Sequence, residues 1–339
     1  MTSGSREVEH RLGGFRTAIL VGTVLAVAIA TPAAAKLLHL RKPSRGFQMR
    51  MESFEVAPSG DREGCEHMVT PNKRPMDVSA FELKATPGTH HFVVWSYLGK
   101  DQNPADFWTG IAYSTGCIGL GPQDGVVSTA NLFGMLSGHS RFKFPPGVAV
   151  RLQPSANVYA NLHYHNYGTT TVDTDAVFNF IPARKGTVKH HAQAFTVGTT
   201  EFSVPGNATA SVTGEWHAPA DLNIVSVSTH QHRRGIDVLV HKIDAAGNDM
   251  GPLVDSPNWE HPSVRWYQQA MRLQAGEGFR FTCSWRNPDA KTVAFGVTSE
   301  DEMCFVTGYF YPDDDAAIVT GPGCFPQGSG LECFVHKKQ

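Results

Sequence analysis

Histidine is the residue type with the clearest capacity for chemistry in this chain, which has 16 histidines among 339 residues. Several stand close together, at His90 and His91, His163 and His165, and His230 and His232. Residues i and i+2 of a β-strand project from the same face, so His230 and His232 can reach one ion while Gln231 points away. His163 and His165 share a strand face for the same reason. Imidazole binds zinc, copper, iron and nickel, so this spacing indicates a transition-metal site, although a solvated strand would show it too.

The doublet of His90 and His91 is a weaker indication of a metal site. Adjacent residues of a regular strand point to opposite faces, so both side chains can share an ion only where the backbone departs from ideal pleating. The Pro87–Gly88 dipeptide just upstream supplies a turn. A second doublet, His190 and His191, lies beside the predicted linker, and we interpret it as interdomain packing or surface.

Met303 is the residue that could discriminate among metals. A methionine thioether is a soft, neutral ligand that favours copper, and especially Cu(I), over zinc. It follows Asp301 and Glu302 and precedes Cys304. A methionine in such a place is more often a packing residue, so Met303 alone does not establish a ligand.

The elements that must position these side chains are predicted to be β-strands. From about Phe47 onward, short runs rich in Val, Phe, Thr and Tyr alternate with clusters of Gly, Pro, Asn and Asp. No long stretch keeps a 3.6-residue apolar period, which argues against helical bundles and βαβ units. We predict an all-β fold of two tandem antiparallel β-sandwich domains, jelly-roll-like, over residues 46–183 and 187–339, with the boundary in the polar segment from Pro182 to Gly186.

The N-terminus has the pattern of an export signal. Three arginines precede an apolar run from Thr17 to Ala30, and the small residues Ala33–Ala35 follow it. The apolar run is shorter than the roughly 20 residues of a spanning helix, which favours a cleaved signal peptide over 1–35 rather than a retained anchor. We therefore expect a secreted or periplasmic protein without stable membrane insertion after cleavage. The formal net charge of -2 gives no reason to expect a nucleic acid partner.

All six cysteines lie beyond this signal, an even count that predicts disulfides in an oxidising compartment. The sequence allows many pairings, and the simplest joins neighbours along the chain: Cys65 with Cys117, Cys283 with Cys304, and Cys324 with Cys333. Metal ligation by cysteine is the weaker alternative, because the chain has no CxxC motif.

The order of these signals resembles the copper type II, ascorbate-dependent monooxygenases. That family's pattern is a His-His doublet, a histidine in a His-Tyr strand, a His-x-His motif and a Met-Cys after an acidic pair. All four occur here in that order. The connecting strings also resemble the family, at Phe144–Val148, Asn161–Asn166, Gly276–Cys283 and Phe295–Gly296.

The resemblance implies two copper ions per chain in two separate sites. His90, His91 and His163 would hold one copper on the N-terminal sandwich, where it stores and delivers an electron. His230, His232 and Met303 would hold the catalytic copper on the C-terminal sandwich, where O2 reacts with a small-molecule substrate in an open cleft between the domains. Ascorbate would be the reductant. The pairing of Cys283 with Cys304 matches a disulfide of the family.

Three positions depart from the peptide-hydroxylating members of the family. Those enzymes hold a substrate carboxylate with an arginine two residues before His-x-His and a tyrosine shortly after Met-Cys, where this chain has Ser228 and Thr307. An asparagine after Met-Cys is Phe305 here. Peptide amidation is therefore disfavoured and the substrate class stays open. The alternatives are a non-catalytic exported copper carrier or sensor, and a purely structural β-sandwich.

Overall fold

The computed structural model describes residues 37–97, 109–113, 129–135, 138–296, 298, 300–312, 324–327 and 330–334. Within these ranges every regular element is a β-strand, and the strands form several largely antiparallel sheets. The all-β prediction is thereby confirmed for this part of the chain. The expected signal segment 1–35 and Cys117 lie outside the described residues. Among the described residues, no helix is long and apolar enough to cross a membrane.

Among the described residues, the N-terminal part of the chain up to His191, called the first half below, contributes thirteen strands. They are β1 (Phe47–Met51), β2 (Glu55–Val56), β3 (Asp61–Val69), β4 (Met76–Ala85), β5 (Thr89–Tyr97), β6 (Ile111–Ala112), β7 (Thr129–Met135), β8 (His139–Lys143), β9 (Val148–Leu152), β10 (Asn157–His165), β11 (Val172–Asp173), β12 (Ala176–Pro182) and β13 (His190–His191). One sheet has the order β1-β12-β4-β9-β13, with β8 also pairing β4, and the other has the order β6-β3-β10-β5-β7. Strands β2 and β11 form a small separate ribbon.

The described residues that follow, called the second half below, contribute twelve strands. They are β14 (Gln193–Gly198), β15 (Ser203–Val204), β16 (Ala208–His217), β17 (Leu222–His230), β18 (Gly235–Ile243), β19 (Asp249–Ser256), β20 (Arg265–Leu273), β21 (Gly278–Asn287), β22 (Val293–Ala294), β23 (Phe305–Tyr311), β24 (Cys324–Gln327) and β25 (Gly330–Phe334). The two large sheets have the orders β20-β17-β23-β14-β25-β24 and β16-β21-β18-β19. Strands β15 and β22 pair with each other.

Two clusters of buried side chains hold these sheets together. The first is rich in phenylalanine and joins both sheets of the first half, for example through Phe81 on β4 and Phe92 on β5. The second joins the two large sheets of the second half, for example through Val306 on β23 and Phe281 on β21. Burying one such side chain stabilises the fold by about 1.5 to 3 kcal/mol. Residues 37–339 form one compact unit, and the division into domains at 46–183 and 187–339 stays a prediction.

One face of the sheet that contains β14, β23 and β17 packs against the first half of the chain. Tyr309 belongs to the first buried cluster, and its hydroxyl donates a 3.0 Å hydrogen bond to the carbonyl oxygen of Leu132 on β7. Residues paired directly across strands share a face, so the register places three rows here, which we call the interface face: Gly198, Phe305 and His230; then Thr196, Thr307 and Ser228; then Ala194, Tyr309 and Ser226.

Candidate metal centre

Three of the predicted ligands meet on the sheet of β5 and β10. His91 and His163 are direct cross-strand partners, and the register then shifts so that Tyr164 pairs with Thr89. His90 is therefore the additional residue of a β-bulge. A bulge redirects one side chain of a strand, which explains how two adjacent histidines reach one site. This is the departure from ideal pleating that the doublet requires.

The ring nitrogens of this triad are spaced as metal ligands are. Nδ1 of His90 lies 3.2 Å from Nδ1 of His163 and 3.3 Å from Nδ1 of His91. Metal–nitrogen bonds of 2.0 to 2.1 Å in a tetrahedral site would separate neighbouring nitrogens by about 3.3 Å. His91 and His163 are buried, and one ligand atom from each of the three residues fits within 4.8 Å of the others.

Hydrogen bonds fix the orientation of two of these imidazoles. Nε2 of His163 donates to Oδ1 of Asp61 over 2.5 Å, and Nε2 of His91 donates to Oδ1 of Asn161 over 2.8 Å and to Oε1 of Glu63 over 3.3 Å. With the proton on Nε2, the lone pair of each Nδ1 points toward the other imidazoles of the triad. Two such lone pairs that converge beside Nδ1 of His90 form a donor set that fits a metal ion.

Asp61 and Glu63 were not foreseen as part of the site. They alternate on β3, which pairs with β10 and places Glu63 opposite His163. Burial alone would raise the pKa of each carboxyl, but the hydrogen bond from the neighbouring histidine, together with that histidine's charge when it is protonated, leaves the pKa of both lower than usual. Their only sequence signal is the i, i+2 spacing of two acidic residues, and nothing in the sequence places β3 beside β10.

His230 and His232 are also brought together. His230 is the last residue of β17, and the two ring centroids are 5.1 Å apart. His232 is buried, and its Nδ1 donates to the carbonyl oxygen of Asp301 over 3.2 Å, which leaves Nε2 available as a ligand. Burial lowers the pKa of His232 to about 4, and burial together with nearby imidazoles holds that of His230 well below its usual value. Both rings are therefore neutral near neutral pH, as metal ligands must be.

The two predicted ligand sets adjoin. The ring centroid of His90 lies 6.2 Å from that of His230 and 6.1 Å from that of His232, and His91 lies 6.5 Å from His230. Nε2 of His90 is buried without a hydrogen-bond partner among the described residues. The resemblance implied two sites across an open cleft, whereas the structure gathers five imidazoles into one cluster.

Met303 lies in the segment just before β23 and is buried. Cys304 beside it forms a disulfide with Cys283 on β21, as the resemblance implied. Glu302 on its other side is fully buried, and its carboxylate accepts hydrogen bonds from the backbone N–H of His232 (3.1 Å) and Arg234 (2.7 Å) and from the indole of Trp285 (2.9 Å). Glu302 thus ties the segment of Met303 to the turn of His232. A role for Met303 as a copper ligand stays a prediction.

The remaining cysteines and paired histidines of the sequence analysis lie outside the imidazole cluster. Cys65 on β3 is disulfide-bonded, and Cys117, its expected partner, lies outside the described residues. The backbone register sets Cys324 opposite Cys333 on β24 and β25, and their disulfide stays a prediction. The ring centroids of His165 and Tyr167 are 4.0 Å apart, and those of His190 and Tyr311 are 4.4 Å apart, with each pair stacked. His191 forms a hydrogen bond with Asp77.

Two cavities border the imidazole cluster and the interface face. The smaller, of about 260 Å³, is lined by His90, His163 and His232 together with Trp259 and other residues. The larger, of about 420 Å³, lies against the interface face at Ser228 and Thr307. His261 lines both. Small molecules thus have space beside both ligand sets.

Residues 186–329 match the family model described as the C-terminal domain of copper type II ascorbate-dependent monooxygenases. No curated protein matches the chain. Among solved structures, the major capsid protein P2 of bacteriophage PM2 is 10% identical, with 78% of this chain and 99% of that chain covered and a TM-score of 0.30. A triple jelly-roll protein of an archaeal virus is 7% identical, with 80% and 60% covered and a TM-score of 0.19.

Proposed function

We propose that this chain, whose residues 186–329 match the model of the C-terminal domain of copper type II ascorbate-dependent monooxygenases, is an exported dicopper monooxygenase. It would convert R–H, O2, two electrons and two protons into R–OH and water, with R–H a small organic substrate and a one-electron reductant such as ascorbate. The observation that carries the proposal is the convergence of His90, His91 and His163 on one buried point, directly beside His230 and His232.

The geometry supports the two groups of histidines as ligand sets, and the resemblance adds Met303 to the second. His90, His91 and His163 would hold one copper, and His230, His232 and Met303 would hold the other. The two coppers supply, when bound, the electrons that O2 needs for the insertion of one oxygen atom. Three protein ligands per ion leave room for a further ligand, as a reactive metal site requires.

The chain itself supplies orientation, exclusion of water and a difference between the sites. Asp61 and Glu63 hold two of the triad's imidazoles, those of His163 and His91, in one tautomer. Burial of His91, His163 and His232 keeps water away from the ligand nitrogens. A thioether in one ligand set and imidazoles alone in the other would give the two coppers different reduction potentials, because the softer set favours Cu(I).

A non-catalytic copper carrier or sensor is the second candidate, and the burial of the imidazoles favours it, since a closed site suits storage. The cavity beside His90, His163 and His232 favours the enzyme, because it gives small molecules access to the ligands. The Cys283–Cys304 disulfide supports export in either case.

The direct test is incorporation of ¹⁸O from ¹⁸O2 into small organic compounds by the copper-loaded protein with ascorbate, read by mass spectrometry. The wild type and His241→Ala, whose histidine bonds to Asp249 outside the cluster, should label a product. Met303→Ile should label none while the triad still binds copper. Retained copper with no labelling, and no stimulation of O2 consumption by any compound, would support the carrier.

A further inference from the structure

The larger cavity reaches Ser228, two residues before His230 on β17. Ser228 precedes His230 by two residues and projects from the same face, and both belong to the interface face. Two residues along a strand correspond to about 7 Å. Ser226 and Ser228 line the cavity, so it extends along the strand toward the imidazole cluster.

Hydroxyl groups form the polar part of the cavity floor. Thr196, Thr307 and Ser228 occupy one row of the interface face across three neighbouring strands, and all three line the cavity. The hydroxyl of Ser228 donates to the carbonyl oxygen of Ser263 over 3.1 Å, so its oxygen can still accept a hydrogen bond. Such a row can bind a neutral oxygen group but cannot neutralise a full charge.

Aromatic rings form the apolar part. Trp266 stacks on Phe142 with 5.1 Å between ring centroids and 19° between planes, and on Tyr309 with 6.0 Å and 24°. All three residues line the cavity, together with Pro262 and Val264. Parallel rings of this kind suit a flat, unsaturated ligand.

No charged side chain of the described lining is directed into the cavity. Arg141 is the only lining residue with a permanent formal charge. On β8 it alternates with Ser140 and Phe142, and the register places it opposite Glu82 on β4. Strand alternation therefore directs Arg141 to the other face of β8, beside Glu82. A charged ligand would lose its hydration here without gaining a partner.

We propose that this cavity is the substrate site and that it takes a small, uncharged aromatic compound with a hydroxyl or carbonyl oxygen. The apolar part of this compound lies against Phe142, Trp266 and Tyr309. Its oxygen binds the row of Thr196, Thr307 and Ser228. The assignment rests on the proposed function for the reaction itself. Ser228 and Thr307 stand where the peptide-hydroxylating relatives hold a carboxylate, and neither can form an ion pair. The cavity's volume of about 420 Å³ lies in the range of small-molecule sites.

Three probes of similar size and different charge test the inference: phenethyl alcohol, phenethylamine and hydrocinnamate. Calorimetric titrations would use the full mature chain, with and without copper, at neutral pH and without ascorbate. Phenethyl alcohol should bind at least about tenfold more tightly than either charged probe, because burying an unpaired charge is costly. Thr307→Val should weaken its binding a few-fold through loss of one hydrogen bond, while the fold is kept.

A charge introduced into the row should invert the preference. Ser228→Arg should make hydrocinnamate the tightest of the three probes. The matched control Ser211→Arg, at an exposed serine on β16, should keep the order of the wild type. Equal binding of the probes, no binding of phenethyl alcohol, or tighter binding of a charged probe by the wild type would overturn the inference. Since these titrations need no turnover, they can support the substrate site even where ¹⁸O labelling contradicts the monooxygenase. Likewise, ¹⁸O labelling can support the monooxygenase even where the titrations contradict this substrate site.

Discussion

Single residues decide which nitrogen of each imidazole can bind a metal. Asp61 accepts a hydrogen bond from Nε2–H of His163, and Glu63 and Asn161 accept from Nε2–H of His91, so Nδ1 of both rings keeps the lone pair that can bind a metal. The sequence identified His163 through its motif. It could not identify Asp61, which lies 102 residues away along the chain and reaches His163 only through the pairing of β3 with β10.

Asp61→Asn should weaken copper binding at the triad and raise its reduction potential. An amide still accepts the hydrogen bond of His163 but removes the negative charge that favours Cu(II). Loss of such a partner lowers metal affinity about 10- to 100-fold. Chelator competition and a redox titration measure the two effects. Asp249→Asn, at a carboxylate that bonds to His241 instead, is the control, and equal values in both variants would remove Asp61 from this role.

The copper-free protein should lose stability as the pH falls from 6.5 toward 4. Burial lowers the folded-state pKa of His232 to about 4, so the unfolded chain takes up a proton at a higher pH than the folded chain does. The stability contribution is present above pH 6.5 and declines by about 3 kcal/mol across this window. His90 and His230 act in the same direction.

Urea unfolding at several pH values measures this decline. His232→Gln should show a shallower dependence, whereas His241→Gln, outside the cluster, should follow the wild type. A free energy of unfolding that stays constant between these pH values would contradict the buried, neutral state of the histidines.

Strand pairing brings the predicted ligands together in ways that residue spacing along the sequence could not predict. The i, i+2 spacing of His230 and His232 was sufficient to predict that their rings lie close together, although His232 lies just beyond the end of β17. The doublet was not sufficient, because the bulge at His90 depends on how β5 pairs with β10. Glu302 was visible as part of an acidic pair, but its bonds to the turn of His232 arise only when β17 and β23 pair.

Glu302→Gln should loosen the turn that carries His232. The carboxylate is fully buried and accepts hydrogen bonds from three N–H donors. The amide of the Glu302→Gln variant would present its NH2 group to at least one of these donors. Leaving a buried donor unsatisfied costs about 1 to 3 kcal/mol.

Denaturant unfolding should therefore show a lower free energy of unfolding. Copper titration should show weaker binding by His230 and His232 and unchanged binding by the triad. Glu300→Gln removes a neighbouring carboxylate that is 62% exposed and bonds to Arg233, and should cost less than about 1 kcal/mol. Equal losses in the two variants would contradict a positioning role for Glu302.

The whole molecule brings the halves of the chain into contact at the imidazole cluster. The β-rich fold could be predicted from the strand patterns, since these depend on local alternation and turn residues. The contact between His90 and His230 could not, because it depends on the interface face packing against the first half. The resemblance supplied both ligand sets but implied that they stand apart.

Copper stoichiometry of the purified mature protein tests the central claim most directly. Elemental analysis should find two coppers per chain in the wild type and one in each of His91→Ala and Met303→Ile. Electron paramagnetic resonance should show that the ion left in Met303→Ile has the three imidazole nitrogens of the triad as ligands. The ion left in His91→Ala should instead have only the two imidazole nitrogens of His230 and His232. One copper or none in the wild type, or loss of the same ion in both variants, would contradict the dicopper account.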